Sequence, residues 1–145
     1  MLTATRRFTF DSMHVLPNHP GKCRRPHGHT YILEVTVVAV DTKVAHDLWK
    51  HQGYFIDFGD LKNMIKAVLE SWDHYDLGNQ DEYPTAERLI LKLWRQIEKE
   101  FCRGEGPCPC DLVTLKLHET PNNWVEYDGH DYAFSHINTP PTEVL

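Results

Sequence analysis

GKCRRPHGHTYILEV, residues 21–35, sets a thiol, three cations and two imidazoles just ahead of an alternating apolar run. Tyr31, Leu33, Val35 and Val37 alternate with Ile32, Glu34, Thr36 and Val38, which predicts a strand from about His29 to Val40. His27 and His29 share the parity of the first set. Successive side chains of a strand leave on opposite faces, so both imidazoles can point to one side of a sheet. Gly28 between them is expected to spare the backbone a crowding side chain. For a soluble chain the candidates are a metal site, a nucleophile or base, both at once, or coincidence.

Upstream, Phe8 and Phe10 alternate with Thr9 and Asp11, a second strand signature, and His14 has the parity of the two phenylalanines. The loop PNHPGKCRRP, residues 17–26, joins the two strands. Downstream, DTKVAHDLWKHQG (41–53) reads as a connection of mixed composition. DLKNMIKAVLESW (60–72) then places Leu61, Met64, Ile65, Val68, Leu69 and Trp72 at helical spacing, and PTAERLILKLWRQIEKEF (84–101) gives a second amphipathic helix with Thr85 as N-cap. In DLVTLKLHET, Val113, Leu115, Leu117 and Glu119 fall on one face of a third strand, and NNWVEYD makes a short fourth. The order ββααββ predicts an α+β domain, an antiparallel four-stranded sheet covered by two helices, over residues 1–127. A loosely ordered tail is expected over 128–145.

The bulk properties narrow the function. At 145 residues, 41% apolar and 25% charged, the chain fits one globular domain. A formal net charge of −6 argues against a nucleic-acid binder. No apolar run reaches a membrane span and MLTATRRFTF lacks a signal peptide's apolar centre, so a cytoplasmic location is expected. Free thiols are then the expectation for Cys23, Cys102, Cys108 and Cys110. FCRGEGPCPC reads as a small metal clip or, more plainly, as a cysteine-bearing turn.

Four groups carry possible chemistry. His14, His27 and His29 offer the three protein ligands of a catalytic zinc site, with a fourth position open. Lys22, Arg24 and Arg25 around Cys23 favour a thiolate; they equally suit an anionic substrate or plain solvation. Asp73 beside His74 can fix an imidazole tautomer for acid–base work. Glu119, on an otherwise apolar strand face, needs a partner such as a cationic or amidine-like ligand, unless the strand ends at His118. His19, His46, His51, His130 and His136 read as solvated loop or tail residues.

In order and spacing, FDSMH, KCRRPHGHTY, IDFGDLK, WDH, PTAE and HET resemble the 6-pyruvoyl-tetrahydropterin synthase/6-carboxytetrahydropterin synthase family from Phe8 to about Tyr127. The resemblance implies a tunnelling fold assembled as a trimeric barrel, commonly paired into a hexamer, with active sites between subunits. It implies zinc at His14, His27 and His29, Cys23 as catalytic thiolate, and Asp73 with His74 as its acid–base partners. Glu119 would grip the pterin, with Thr85 and Glu87 nearby, and Lys22, Arg24 or Arg25 could hold a triphosphate. The implied substrate is 7,8-dihydroneopterin triphosphate, and no nicotinamide cofactor is needed.

Three residues separate Cys23 from His27, as in the bacterial 6-carboxytetrahydropterin synthases of the queuosine and 7-deazapurine pathway, whereas the animal pyruvoyl enzymes have a longer gap. Triphosphate elimination without carbon–carbon cleavage is the alternative reaction, and a non-catalytic zinc- or pterin-binding relative the alternative of another class. The chain departs from the family pattern at DHYDLGN, where Gly78 lengthens the loop before Asn79, and in its longer connection after the second strand.

Overall fold

The computed structural model describes residues 1–104 and 106–130; the expected tail from 131 onward, with His136, lies outside the described residues. β1 (Thr3–His14) and β2 (His27–Ala39) form a long antiparallel hairpin, followed by α1 (Lys43–Gln52), α2 (Phe58–Leu69), α3 (Ala86–Phe101), β3 (Cys110–Thr120) and β4 (Asn123–Tyr127). The sheet runs β1-β2-β3-β4, antiparallel throughout. This is the expected α+β architecture with one helix more than the sequence suggested.

α2 and α3 cover one face. Phe8 and Phe10 of β1, Tyr31, Leu33, Val35 and Val37 of β2, and Leu115 and Leu117 of β3 point inward. They meet Leu61, Ile65, Val68 and Leu69 of α2 and Leu89, Ile90, Leu93, Trp94 and Ile97 of α3. Burying a side chain of this size contributes about 1.5–3 kcal/mol relative to exposure, so the two stripes suffice to seat both helices. Thr85 caps α3, its hydroxyl accepting from the Arg88 N–H at 3.3 Å. Trp72 lies beyond the end of α2 yet is fully buried, donating its indole N–H to Gln96 at 2.8 Å.

Three local readings change. α1 occupies the stretch expected to be a mixed connection: the Thr42 side chain accepts from Ala45 N–H, and Gly53 closes the helix in the left-handed region at φ 79. His46 and His51 therefore sit on this helix, both exposed. β2 starts at His27, two residues earlier than predicted, because His27 pairs with His14 at the end of β1. A bulge opposite Thr36/Val37 pairs Val37 with Leu112, so Leu112 rather than Val113 packs on the core.

Candidate metal and acid–base site

Strand register builds the first half of the site. β1 pairs Ser12 with His29 and His14 with His27, so His14, His27 and His29 share the inward face at the loop end of the hairpin. One ring nitrogen from each lies within 4.8 Å of the others. His14 is fully buried and donates Nδ1–H to the Pro84 carbonyl at 2.8 Å. His27 donates Nδ1–H to the Arg25 carbonyl at 2.7 Å. Committing Nδ1 to a carbonyl fixes the tautomer and leaves Nε2 as a lone-pair donor, the usual outer-shell arrangement of a metal-ligating histidine.

Among the described residues, Nε2 of His14 and Nε2 of His29 are buried without a hydrogen-bond partner, which is costly for a polar atom, although Glu119 Oε1 stands 3.4 Å from the latter. Burial holds His29 below the usual imidazole pKa, with His14 and His27 adding to the effect against an opposing contribution from Glu119. Three imidazoles whose ring nitrogens converge fit a divalent cation of the zinc type, which takes nitrogen ligands readily.

Glu119 completes this face. β3 continues to Thr120, so Glu119 is a strand residue at an irregularity in the β3–β4 pairing and not an exposed end. Its Oε1 lies 3.4 Å from His29 Nε2. Burial, and next the Glu119 charge, push the Tyr31 phenol well above its ordinary range, so Tyr31 is a neutral wall of the site.

The second half of the site lies along the edge of β1. The chain after α2 is stitched to that strand by main-chain bonds: Asp11 N–H to Asp73 Oδ1 at 2.8 Å, His74 N–H to the Asp11 carbonyl at 2.6 Å, and Met13 N–H to the Tyr75 carbonyl at 3.1 Å. Ser12 Oγ adds a bond to the Trp72 carbonyl. Held this way, His74 adopts φ 62, an uncommon left-handed conformation for a residue with a side chain.

His74 Nδ1 is 3.0 Å from Asp73 Oδ2, which leaves its Nε2 directed away from the carboxylate. The Asp11 N–H, and then the His74 side chain, hold the Asp73 carboxyl below the usual range. Asp11 itself, accepting from Thr30 Oγ1 at 2.5 Å, brings a second carboxylate within 4.8 Å of the pair. Asp11, Gly28, Thr30 and His74 line a cavity of about 540 Å³ that reaches His29.

The structure thus gathers His14, His27, His29 and Glu119 in one group and Asp73 with His74 in another. Cys23 stands in neither. It is half-buried in the 3-10 turn Lys22–Arg24, four residues before His27, and makes no side-chain hydrogen bond among the described residues. Lys22, Arg24 and Arg25 are exposed around it and form no ion pair among those residues. Thr85 spends its hydroxyl as the α3 cap, and Glu87 is exposed in the first turn of that helix.

Gly78 sits in a short turn, Leu77–Asn79, where Asp76 caps its N–H at 2.9 Å and Leu77 is fully buried. Sequence reasoning missed Pro84, Asp11 and Thr30 as supports. Only the Asp11/Thr30 register was available as a signal, since a carbonyl acceptor has no side-chain signature.

A sheet backed by helices on one face, with three imidazoles converging at the loop end of the β1–β2 hairpin beside a cavity, defines an α+β protein with a histidine cluster that could hold a metal ion. The family model described as 6-pyruvoyl tetrahydropterin synthase matches residues 3–130, and the chain belongs to that family. It is 33% identical over 147 residues to the 6-carboxy-5,6,7,8-tetrahydropterin synthase of Haemophilus influenzae, covering 88% of this chain and 99% of that protein. To the 6-pyruvoyl tetrahydrobiopterin synthase of Drosophila melanogaster it is 29% identical, covering 94% and 84% respectively. The structure of Caenorhabditis elegans 6-pyruvoyl tetrahydropterin synthase superposes with a TM-score of 0.68 at 22% identity, over 89% of this chain and 96% of that one.

Proposed function

We propose that the chain converts 7,8-dihydroneopterin triphosphate to 6-carboxy-5,6,7,8-tetrahydropterin with release of acetaldehyde and triphosphate, on the route to queuosine and related 7-deazapurines. The reading rests above all on the trihistidine cluster, in which the buried Nε2 atoms of His14 and His29 lack hydrogen-bond partners among the described residues. Relatives named 6-carboxy-5,6,7,8-tetrahydropterin synthase at 31–33% identity, and the three-residue gap between Cys23 and His27, favour the carboxy product.

His14, His27 and His29 would hold zinc, which supplies Lewis-acid polarisation of substrate oxygens and so acidifies the neighbouring C–H. The protein's own groups move the protons. Cys23, as thiolate, takes one from the substrate side chain. His74 returns one at another carbon through Nε2, its Nδ1–H held by Asp73. Glu119 accepts from the N–H edge of the pterin, with Glu87 and Thr85 at the entrance to α3. Lys22, Arg24 and Arg25, free of ion pairs among the described residues, take the triphosphate.

No hydrogen bond links Cys23 to the Asp73–His74 pair within the described residues, which favours a site completed between protomers. Among the described residues β4 leaves one edge of the sheet open, and the β1 edge is covered by the segment Asp73–Asp76 beside Asp11 and Met13. Joining such edges in a homo-oligomer, a trimer or hexamer, pairs their exposed backbone groups. Among the described residues no helix is long and apolar enough to cross a membrane, and free cysteines suit the reducing cytoplasm.

The family model and the Drosophila relative favour a second reading, elimination to a pyruvoyl pterin without carbon–carbon cleavage. Purified zinc-loaded protein given the triphosphate substrate should release acetaldehyde in step with triphosphate. Accumulation of a pyruvoyl pterin instead would overturn the carboxy assignment. Cys23→Ala should abolish turnover with zinc content intact; unchanged turnover would remove the thiol from the mechanism.

A further inference from the structure

The segment that leads into β3 reads Gly106-Pro107-Cys108-Pro109-Cys110. Cys110 opens the strand opposite Ala39 and is fully buried in the core. Cys108 is half-buried and packs against the same core. Their sulfurs lie 4.0 Å apart, about 2 Å further than a disulfide bond.

The backbone around them is restrained. Prolines precede and follow Cys108, each locking φ. The Pro109 carbonyl accepts from Val40 N–H at 3.2 Å, tying the residue between the two cysteines to the end of β2. The sulfurs are therefore neighbours by construction of the loop. The pair is also polarised: hydrogen bonding from Cys110 brings the Cys108 thiol down to about 6, while donating that bond and burial push Cys110 up. Near neutral pH the outer sulfur is the nucleophile and the inner one the reserve thiol.

This place is remote from the metal and acid–base groups. Cys110 pairs with Ala39, ten positions along β2 from His29, a span of about 33 Å of strand. Nothing in the proposed pterin reaction uses it.

We propose that Cys108 and Cys110 are a redox-active dithiol that exchanges with small-molecule disulfides of the glutathione class to form an intrachain disulfide. Cys108 Sγ, as thiolate, attacks one sulfur of the oxidised disulfide; the S–S bond breaks and one thiolate leaves, taking a proton from solvent. Cys110 then gives up its proton, and its sulfur attacks Cys108 Sγ within the mixed disulfide, expelling the second small thiol. Two protein thiols are oxidised, one small disulfide is reduced to two thiols, and two electrons pass. Exposure sets the order: solvent reaches Cys108 but not Cys110, so Cys110 resolves.

The test uses the full chain carrying Cys23→Ser and Cys102→Ser, so that only this pair titrates. Equilibration against oxidised and reduced glutathione, followed by intact mass, should give a single transition in which the protein loses two hydrogens and its reactive thiols fall from two to none. Adding Cys110→Ala, which keeps the core apolar, should arrest the reaction as one glutathionyl group on Cys108. Adding Cys108→Ala should leave the protein unmodified. A stable glutathionyl adduct while Cys110 is present would overturn the proposal. So would retention of both thiols at every ratio, or their protection by a stoichiometric bound metal ion.

Discussion

His14 Nδ1 donates to the Pro84 carbonyl at 2.8 Å, joining β1 to the residue just before the α3 cap, 70 positions away. The bond aims Nε2 of His14 at His27 and His29 and would make the affinity for a metal held there depend on the packing of α3 against the sheet. A ligand bound only to the folded state at one hundred times its dissociation constant stabilises it by about 2.7 kcal/mol, which for a chain of this length raises Tm by roughly 5–10 °C. One zinc ion per chain and a gain of that size are expected for the native protein, reversed by a chelator. His14→Ala should lose both the metal and the gain; an equal Tm response in that variant would refute the ligand set.

Asp73 receives two bonds at once, from Asp11 N–H and from the His74 ring. Asp73→Asn can keep the first as an amide oxygen but then turns its NH₂ toward His74 Nδ1. That favours the opposite imidazole tautomer, with the proton on Nε2. Turnover should fall by about 10²-fold or more, in keeping with loss of a positioned acid–base group, while KM and metal content change little. A proportional rise in KM with kcat preserved would mean that Asp73 serves binding alone.

The sheet and the two covering helices could be read from the sequence because their periods are clean: two in β1 and β2, near 3.6 in α2 and α3. α1 was not, because it buries only Ala45, leaves Leu48 half-buried and carries Val44 and Trp49 in solvent. Its end signals, Thr42 and Gly53, and the helical spacing of Val44, Ala45, Leu48 and Trp49 were present in the sequence, but that stripe stays largely in solvent. The placing of His14, His27 and His29 on one face followed from parity alone. What parity cannot supply is the partner of an imidazole's other nitrogen, here the carbonyls of Pro84 and Arg25, or the separation of Cys23 from His74. Both depend on where a loop lands after the chain has packed.

Glu34, on the sheet face opposite the helices, accepts from Arg7 at 2.7 Å and from His118 at 3.2 Å. The Arg7 guanidinium, and next His118, hold its carboxyl below the usual value. A depressed folded-state pKa contributes stability that is present above the unfolded value, about 4.3, and is lost as pH falls through the folded one. Glu34→Gln should therefore cost up to about 1 kcal/mol at pH 7, as for a half-exposed pair, and progressively less below pH 4. Thermal unfolding of the two proteins across that range checks this; a gap that widens in acid would contradict it.

Gly28, between two proposed ligands, looked as though it were needed to keep bulk off the backbone, and the structure gives a different reason. A Cβ built there meets only the Ser12 carbonyl oxygen, at 3.5 Å, an ordinary contact, and the residue is outside the left-handed region. The side chain of residue 28 would instead project from the face opposite His27 and His29, into the cavity lined by Asp11, Thr30 and His74. Gly28→Ala should fold, keep its zinc and gain about 0.4–1 kcal/mol from a less flexible unfolded chain. Gly28→Leu should also keep zinc yet lose at least about tenfold in turnover, because the added bulk occupies space in front of His74. Metal analysis beside kinetics separates the two accounts: loss of zinc in Gly28→Ala would restore the crowding role, whereas full zinc with blocked turnover in Gly28→Leu assigns the glycine to the cavity.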